Sequence, residues 1–594
     1  MNLTADFETT TDENDCRVWA WAVSEIGNPN YWNFGNSIDR FFLFCQSIGN
    51  SKLYFHNLKF DGEFIFHWLF ENGFKHVEDK KDEDTKTFST LISNTGAFYS
   101  IRIVFKKGNK KKHYIEIFDS LKILPFPVAD IAKAFNLPIS KLEIDYDMYR
   151  PVGYMLNQTE IDYIRNDVEI VARALDVLFK QGLTKMTQAS NALFDYKNTV
   201  TKKNFERWFP TPDYDSDVRQ SYKGGFTYLH HTYKNKDIGS TLVLDVNSLY
   251  PWVMHDCPLP YGEPIYFEGQ YKEDKLYNVY IQMFTCQFEL KDKHIPTVQL
   301  KNNLAFVPTQ YLHSSENQMI TMCMTSVDLK LFLDHYNVYN PVYHNGWKFK
   351  STVGLFTEYI DKWTKVKIES TKTGNKAMRT LAKLMLNALY GKFALNPNVQ
   401  SKYPYLDEGV VKYRMGAKET RKPLYIPVGT FITAYAREKT IRSAQKVYNM
   451  FVYADTDSLH LDIPYSEELS KLSNDELEEL TTEKLIEYGV KLPEDFVIDP
   501  VALGAWKVEE LSHRSRYIRQ KCYLHDLNPS DTWNTENYDT SKLNVTCAGM
   551  PKQCYQYVTW DNFREGATFD GKLQPKHVKG GIVLRPIEYT IKPT

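Results

Sequence analysis

Tyr453-Ala454-Asp455-Thr456-Asp457-Ser458 decides how this chain is read, together with Asp245-Val246-Asn247-Ser248-Leu249-Tyr250-Pro251 far upstream. Alternate residues of a strand share a face, so the spacing predicts Asp455 and Asp457 side by side near a hairpin tip, opposite Asp245. Asp245 closes the apolar stretch Thr241 to Val246, where a carboxylate is placed to face a cleft, and Pro251 forbids continuation as a central strand. Between these segments, Arg379 to Gly391 carries Arg379, Lys383, Asn387 and Tyr390 at offsets of four, four and three. That spacing puts two cations and an aromatic on one helical face, a pattern suited to a triphosphate and a base or sugar. Hard carboxylate oxygens suit Mg²⁺ or Mn²⁺, and paired ions of this kind serve in-line displacement at phosphorus.

A second carboxylate set lies early in the chain. Asp6 and Glu8 alternate on the stretch Leu3 to Thr9, Asp61 follows Asn57-Leu58-Lys59-Phe60, and Tyr163 precedes Asp167 by one helical turn. With 74 acidic residues, about nine acidic-x-acidic pairs arise from composition alone. The first pair gains meaning only from its company of two strands and a helix.

The bulk numbers bound the rest. At 594 residues the chain exceeds one core. Apolar residues at 43%, charged at 25% and 40 Tyr describe a folded protein with stacking surfaces to spare. Eight cysteines form no CxxC pair and no Cys/His ligand spacing, which fits a reducing cytoplasm better than a disulfide framework or a zinc site. No run of about 18 apolar residues and no signal-peptide pattern occur, so neither export nor a membrane span is expected. The net charge of −2 carries no global basic signature, although Lys106 to Lys112 and His513 to Lys521 are local basic runs.

Short strands are expected at Leu3 to Thr9, Leu53 to Phe55 and Thr241 to Val246. Helices are expected at Thr159 to Gln181, capped by Thr159 and stopped by Gly182, at Ala377 to Tyr390, stopped by Gly391, and at Asn474 to Tyr488. The last should turn Leu477, Leu480, Leu485 and Ile486 inward. Cys257 to Thr352 reads as an inserted subdomain, and Phe393 to Thr430 as a hairpin insertion.

Asp6, Glu8, Asp61 and Asp167 with Tyr163 resemble the DEDD-type 3′→5′ exonucleases of DNA polymerases. Asp245 to Pro251, Lys383 to Gly391 and Tyr453 to Ser458 resemble the DxxSLYP, KxxxNxxYG and YxDTDS motifs of family B DNA polymerases. Tyr222-Lys223-Gly224-Gly225-Phe226, Thr433-Ala434-Tyr435-Ala436-Arg437 and Lys521-Cys522-Tyr523 are similar to YxGGF, TxxAR and KxY. With both insertions in place, the chain resembles, end to end, the protein-primed family B DNA polymerases of small tailed bacteriophages, the phi-twenty-nine group. Arg379 departs from the group, where Lys is expected; the Lys367 to Arg379 segment and the acidic stretch 474–488 look enlarged.

The resemblance implies an α+β multidomain fold: an RNase H-like 3′–5′ exonuclease domain, then a right-hand palm, fingers and thumb. Its boundaries would be exonuclease 1–185, palm 186–256 and 426–525, insertion 1 at 257–354 for terminal-protein contact, fingers 355–394, insertion 2 at 395–425 for processivity and strand displacement, and thumb 526–594. Two Mg²⁺ per active site, replaceable by Mn²⁺, would sit on Asp6, Glu8, Asp61 and Asp167, with Tyr163 orienting the attacking water. A second pair would sit on Asp245, the Val246 carbonyl and Asp457, with Asp455 in support. Tyr250 would exclude ribonucleotides, Lys383, Arg379 and Lys367 would grip the dNTP, and Asn387 and Tyr390 would face the nascent pair. Thr9, Tyr54, His56, Asn57, Phe60, Phe64, Ser120 and Leu121 would hold the frayed 3′ end, although His56 taken alone reads more readily as a local hydrogen-bonder. Tyr222, Gly224, Gly225, Ser248, Thr433, Arg437, Lys521 and Tyr523 would touch template or primer.

The implied partners are template and primer DNA, a terminal protein supplying the priming hydroxyl, and a phage single-strand-binding protein. The chain would act in the host bacterial cytoplasm, off the membrane, as a monomer or a heterodimer with terminal protein. Three other readings stand beside this one: a reverse-transcriptase-like or linear-plasmid polymerase, a nuclease whose second half only binds, and a nonenzymatic single-strand binder.

Overall fold

The alternation of Leu3 to Thr9 is realised as the strand Asn2–Thr9 inside an eight-stranded sheet; a computed structural model describes all 594 residues. Asn2–Thr9 runs antiparallel to Val18–Glu25 and parallel to Ser51–Phe55, which places Asp6, Glu8 and the Asn57 corner at one end of the sheet. The helix Gln158–Lys180 covers that face, and the Thr4 hydroxyl donates to the Val168 carbonyl at 2.6 Å. Its cap is Asn157 and not Thr159. Asn157 accepts the Glu160 N–H while the Glu160 carboxylate accepts the Asn157 N–H, a reciprocal box that a threonine inside the first turn cannot form.

A five-stranded antiparallel sheet, ordered Trp506–Ser512, Thr241–Val246, Ser458–Asp462, Phe451–Asp455, Thr227–Leu229, forms the floor of the second half. Over it lie Thr357–Thr373 and Lys376–Ala388, antiparallel helices joined at Gly374, whose left-handed φ of 71° ends the first. Gly391 does not stop the second. A further turn, Tyr390–Phe393, follows, because Phe393 is buried against Phe205, Phe209 and Phe356. Burying a phenylalanine stabilises by about 2–3 kcal/mol, more than the ~1 kcal/mol that glycine costs in a helix.

The interval 257–354 contains a four-stranded sheet, Leu259–Glu268, Tyr336–Thr352, Val279–Leu290, Ile320–Thr325, and 395–425 contains the hairpin Asn398–Asp407 with Val410–Thr420. That hairpin is wedged between the N-terminal domain and the C-terminal hairpin Thr568–Val578 with Gly581–Thr590. Val411, Val578, Ile582 and Val583 share one core with Phe64 and Ile65, and the Tyr413 hydroxyl and His577 both reach Glu63, at 2.7 and 3.1 Å. Cys522–Asp526 pairs with Leu543–Cys547, so this sheet straddles the expected boundary at 525/526. The acidic stretch 474–488 is two helices, Asn474–Glu478 and Thr482–Glu487. Ser473 and Thr481 each cap one, and Ile486 is exposed while Leu477, Leu480 and Leu485 are buried. Thr481 inside the apparent period restarts the helix, a competition for backbone N–H groups that periodicity does not register. No helix is long and apolar enough to cross a membrane.

Candidate functional site

The first cage closes as the spacing requires. Ligand oxygens of Asp6, Glu8 and Asp167 lie within 4.8 Å of one another, and Asp61 enters from the helix Leu58–Glu71. Burial, then the Asp167 charge, pushes the Asp6 carboxyl up to about 7; burial and the neighbouring carboxylates hold Glu8 and Asp61 well above the usual range. Asp61 Oδ1 and Asp167 Oδ1 are buried with no hydrogen-bond partner. Orphaned, mutually repelling carboxylate oxygens are a donor set for hard divalent cations, so the residues fit such ions.

Two neighbours were not legible in the sequence. Lys141 donates to Asp167 Oδ2 at 2.6 Å and to the Tyr163 hydroxyl at 3.1 Å, and the Tyr146 hydroxyl lies 2.6 Å from that of Tyr163. Both come from an irregular segment with no periodicity. Asp119 is a third. Its Oδ1 accepts the N–H of Asn57 and Leu121, fixing the corner at which Asn57 takes a left-handed φ of 72°.

The expected strand-end contacts divide. Tyr54 lines a small cavity with Asp6 and Asp167, and Thr9, Asn57, Phe60 and Leu121 keep surface toward solvent. Phe64 and Ser120 are fully buried; the first packs in the core below the C-terminal hairpin and the second bonds the Phe55 carbonyl. His56 is used up by Ser120 Oγ at 2.9 Å and the Phe126 carbonyl at 2.6 Å, the local hydrogen-bonder that it reads as in isolation.

The carboxylate cluster makes stability pH-dependent. Because Asp6 titrates near 7 when folded and near 3.8 as a free group, the folded chain holds more protons between those values. The favourable contribution is therefore full below about pH 4 and lost as pH rises through about 7. Metal-free protein should melt at progressively lower temperature from about pH 5 to pH 8. Millimolar Mg²⁺ or Mn²⁺ should oppose the fall, and Asp61→Asn should flatten it by removing one repelling charge. Calorimetry showing a rise in Tm with pH without metal contradicts this account.

The second cage lines a cleft of about 310 Å³ with Asp245, Val246, Tyr250, Lys367, Lys383, Asn387 and Asp457. Val246 N–H donates to the Asp457 carbonyl at 2.8 Å, locking the two segments together. Burial first, then Asp457, pushes the Asp245 carboxyl up to about 7. Burial and the neighbouring Asp455 charge raise Asp457 as well. Two carboxylates held this way fit a hard cation as the first cage does.

Asp455 pairs with Ser458, which pairs with Asp245, so Asp455 and Asp245 project from one face of the sheet, but Asp455 does not line the cleft. Asp457 sits in the turn, Thr456 has a left-handed φ of 56°, and the alternation expected from a continuous strand is broken there. Asp455 instead accepts Lys521 Nζ at 2.8 Å, Thr227 Oγ1 at 3.1 Å and the Tyr453 hydroxyl at 3.3 Å, so it braces the turn. Gly225 is packed against the same turn: a Cβ there would lie 2.4 Å from Thr456 Oγ1, and Thr456 N–H donates to the Phe226 carbonyl at 2.7 Å.

Tyr250 stacks on Tyr390 with ring centroids 4.6 Å apart, and the Tyr390 and Tyr222 hydroxyls are 2.6 Å apart. Ser248, at a left-handed φ of 53°, starts the helix that presents Tyr250. Lys383 and Asn387 project from the facing helix with Arg379 a turn away, and burial together with the Arg379 charge pulls the Lys383 ammonium below its usual range. Lys521 and Tyr523 stand beside Asp455, and Gly224 is exposed. Thr433 and Arg437, expected to meet primer, are buried. Arg437 is clamped to Asp328 at 2.7 Å and donates to the Lys223 and Gly224 carbonyls, so it braces the Tyr222 to Phe226 loop from behind. Asp328, from the inserted subdomain, gives no sequence signal of this pairing. Lys507 also lines the cleft and was not foreseen.

Comparison with known proteins agrees with this geometry. The family model described as "DNA polymerase type B, organellar and viral" matches residues 46–476. The DNA polymerase of Bacillus phage Nf is 44% identical over 99% of both chains, and that of Streptococcus phage Cp-1 is 30% identical over 99% of this chain and 98% of its own. The structure of Phi29 DNA polymerase complexed with primer-template DNA and incoming nucleotide substrates superposes with a TM-score of 0.88, at 43% identity and complete coverage of both chains.

Proposed function

Because the chain belongs to the DNA polymerases of type B, organellar and viral, we propose that its two cages perform opposed reactions on one primer terminus. The cleft at Asp245 and Asp457 extends DNA from dNTPs, and the cage at Asp6, Glu8, Asp61 and Asp167 removes mispaired 3′ nucleotides. The observation that carries this reading is the presence of two acidic sets in separate sheets, only one of them faced by a cationic helix. Template and primer DNA are the ligands, as in the relative solved with primer-template DNA.

Each cage would hold two Mg²⁺, with Mn²⁺ a substitute. Bound there, such ions activate the attacking oxygen and neutralise charge at the phosphoryl group. The chain's own residues do the rest. Tyr250, stacked on Tyr390, forms a rigid wall where a 2′-hydroxyl would project, and Lys383 with Lys367 and Arg379 neutralises the triphosphate. At the first cage Lys141 holds Asp167 and Tyr163 together, keeping the tyrosine hydroxyl next to the carboxylates.

Full-length similarity to phage polymerases supports a phage-encoded enzyme of the host cytoplasm that starts on a terminal-protein hydroxyl, with 257–354 as its contact and a phage single-strand-binding protein as a further partner. The hairpin 398–420 supports processive, strand-displacing synthesis, since it links the N-terminal domain to the C-terminal hairpin. Deleting residues 396–424 should leave fill-in of a short single-stranded gap intact. It should stop extension at the first nucleotide of downstream duplex and shorten products on a primed circle. Equal product lengths for parent and deletion on denaturing gels contradict the assignment of this hairpin.

A further inference from the structure

The cleft holds a cation, Lys507, that comes from the sheet and belongs to none of the motifs. Strand Trp506–Ser512 runs antiparallel to Thr241–Val246 with Lys507 directly across from Asp245. Paired residues of antiparallel strands project from the same face with Cβ atoms about 5 Å apart, so Lys507 leaves the sheet beside the carboxylate of the cage. Its side chain is half-buried and lines the same cleft as Lys367 and Lys383. Lys521 is neutralised by Asp455 at 2.8 Å, whereas no carboxylate lies within 4.0 Å of the Lys507 ammonium.

Electrostatics narrows what fills the space. The Lys507 charge pulls down both Lys367 and Lys383, each already lowered by burial, and it also acts on Asp245. Three ammonium groups drawn from two walls onto one cleft repel one another unless a polyanion lies between them. A single phosphate is met by the helix Lys376–Ala388 alone; a chain of phosphates crosses from that helix to the sheet. We propose that Lys507 holds the distal phosphates of the incoming dNTP from the sheet side, opposite Lys383, and retains the pyrophosphate as it is released. This rests on the reading of the cleft as the nucleotide site.

The alternative for Lys507 is a purely local role as counter-charge to Asp245. The two roles separate by ligand. Intact protein is bound to a primer-template whose primer ends in a 2′,3′-dideoxynucleotide joined through a phosphorothioate, so that neither extension nor 3′ removal proceeds, and retention of the complementary dNTP or dNMP is measured with Mg²⁺. Lys507→Met should weaken dNTP about tenfold, the scale of one charge-assisted hydrogen bond, and leave dNMP unchanged. Lys507→Arg should stay within about twofold of parent because it keeps the charge and the donors. In pyrophosphorolysis the KM for pyrophosphate should rise with Lys507→Met in the same proportion. Nuclease activity in the same preparation reports that the variant is folded. Equal weakening of dNTP and dNMP, or no weakening of either, overturns the assignment of Lys507 alone. Failure of the parent complex to retain dNTP at all overturns the nucleotide-site reading beneath it.

Discussion

Asp457→Ala should lower nucleotide incorporation by at least ~10³-fold while shortening of a labelled single strand continues at the parental rate. The asymmetry follows from how the turn is built. Asp457 and Asp245 are the two cleft-lining carboxylates of the second cage, and burial, then the Asp457 charge, raises Asp245, so a shared cation would favour the ionised form of both. Loss of Asp457 leaves Asp245 as the sole anionic ligand. Asp455 cannot substitute, because Lys521, Thr227 and Tyr453 already occupy its oxygens and it does not line the cleft. Asp455→Asn should accordingly be milder, since it loosens the turn but removes no cleft ligand. Parallel loss of both activities in Asp457→Ala, measured on one preparation, would mean global damage or a shared site.

The reciprocal variant, Asp6→Ala, should reduce 3′ shortening by at least ~10³-fold and leave extension with dNTPs unchanged. Asp6 lies within the same 4.8 Å cluster as Glu8 and Asp167 and on the strand that forms the cage wall. Its removal takes a ligand and also one of the repelling charges, so the variant should be no less stable than the parent at neutral pH without metal. That combination separates a ligand from a fold residue. Lys141→Ala should fall between, losing about 10- to 100-fold of nuclease activity, because it touches Asp167 and Tyr163 while the carboxylates remain. An extension rate that falls together with shortening in Asp6→Ala would contradict the independence of the two cages.

Which residues sequence could reveal depended on the range of the interaction involved. The alternation of Asp6 and Glu8, the strand-end position of Asp245, the turn between Tyr163 and Asp167, and the face of Lys383, Asn387 and Tyr390 follow from strand and helix periods, which are local. Asp455 keeps the face of Asp245, but strand alternation does not carry on from it to Asp457, because the left-handed Thr456 ends the extended backbone one residue early. Gly391 read as a stop until the burial of Phe393 outweighed its propensity. The burial of Arg437 gives no sequence signal, because Asp328, which pairs with it, comes from a subdomain inserted far upstream. Lys141, Tyr146 and Lys507 share the same cause: each meets its partners across elements, and nothing in its own neighbourhood predicts the meeting.

One measurement tests the central claim, that two independent carboxylate cages act on the same DNA terminus. A 5′-labelled primer on a longer template is incubated with the protein and Mg²⁺, with and without dNTPs, and resolved on a denaturing gel for parent, Asp457→Ala and Asp6→Ala. The parent should extend the primer with dNTPs and shorten it without them, Asp457→Ala should only shorten it, and Asp6→Ala should only extend it. Any single variant that abolishes both reactions while its melting temperature stays parental, or a parent that carries out just one of them, contradicts the claim.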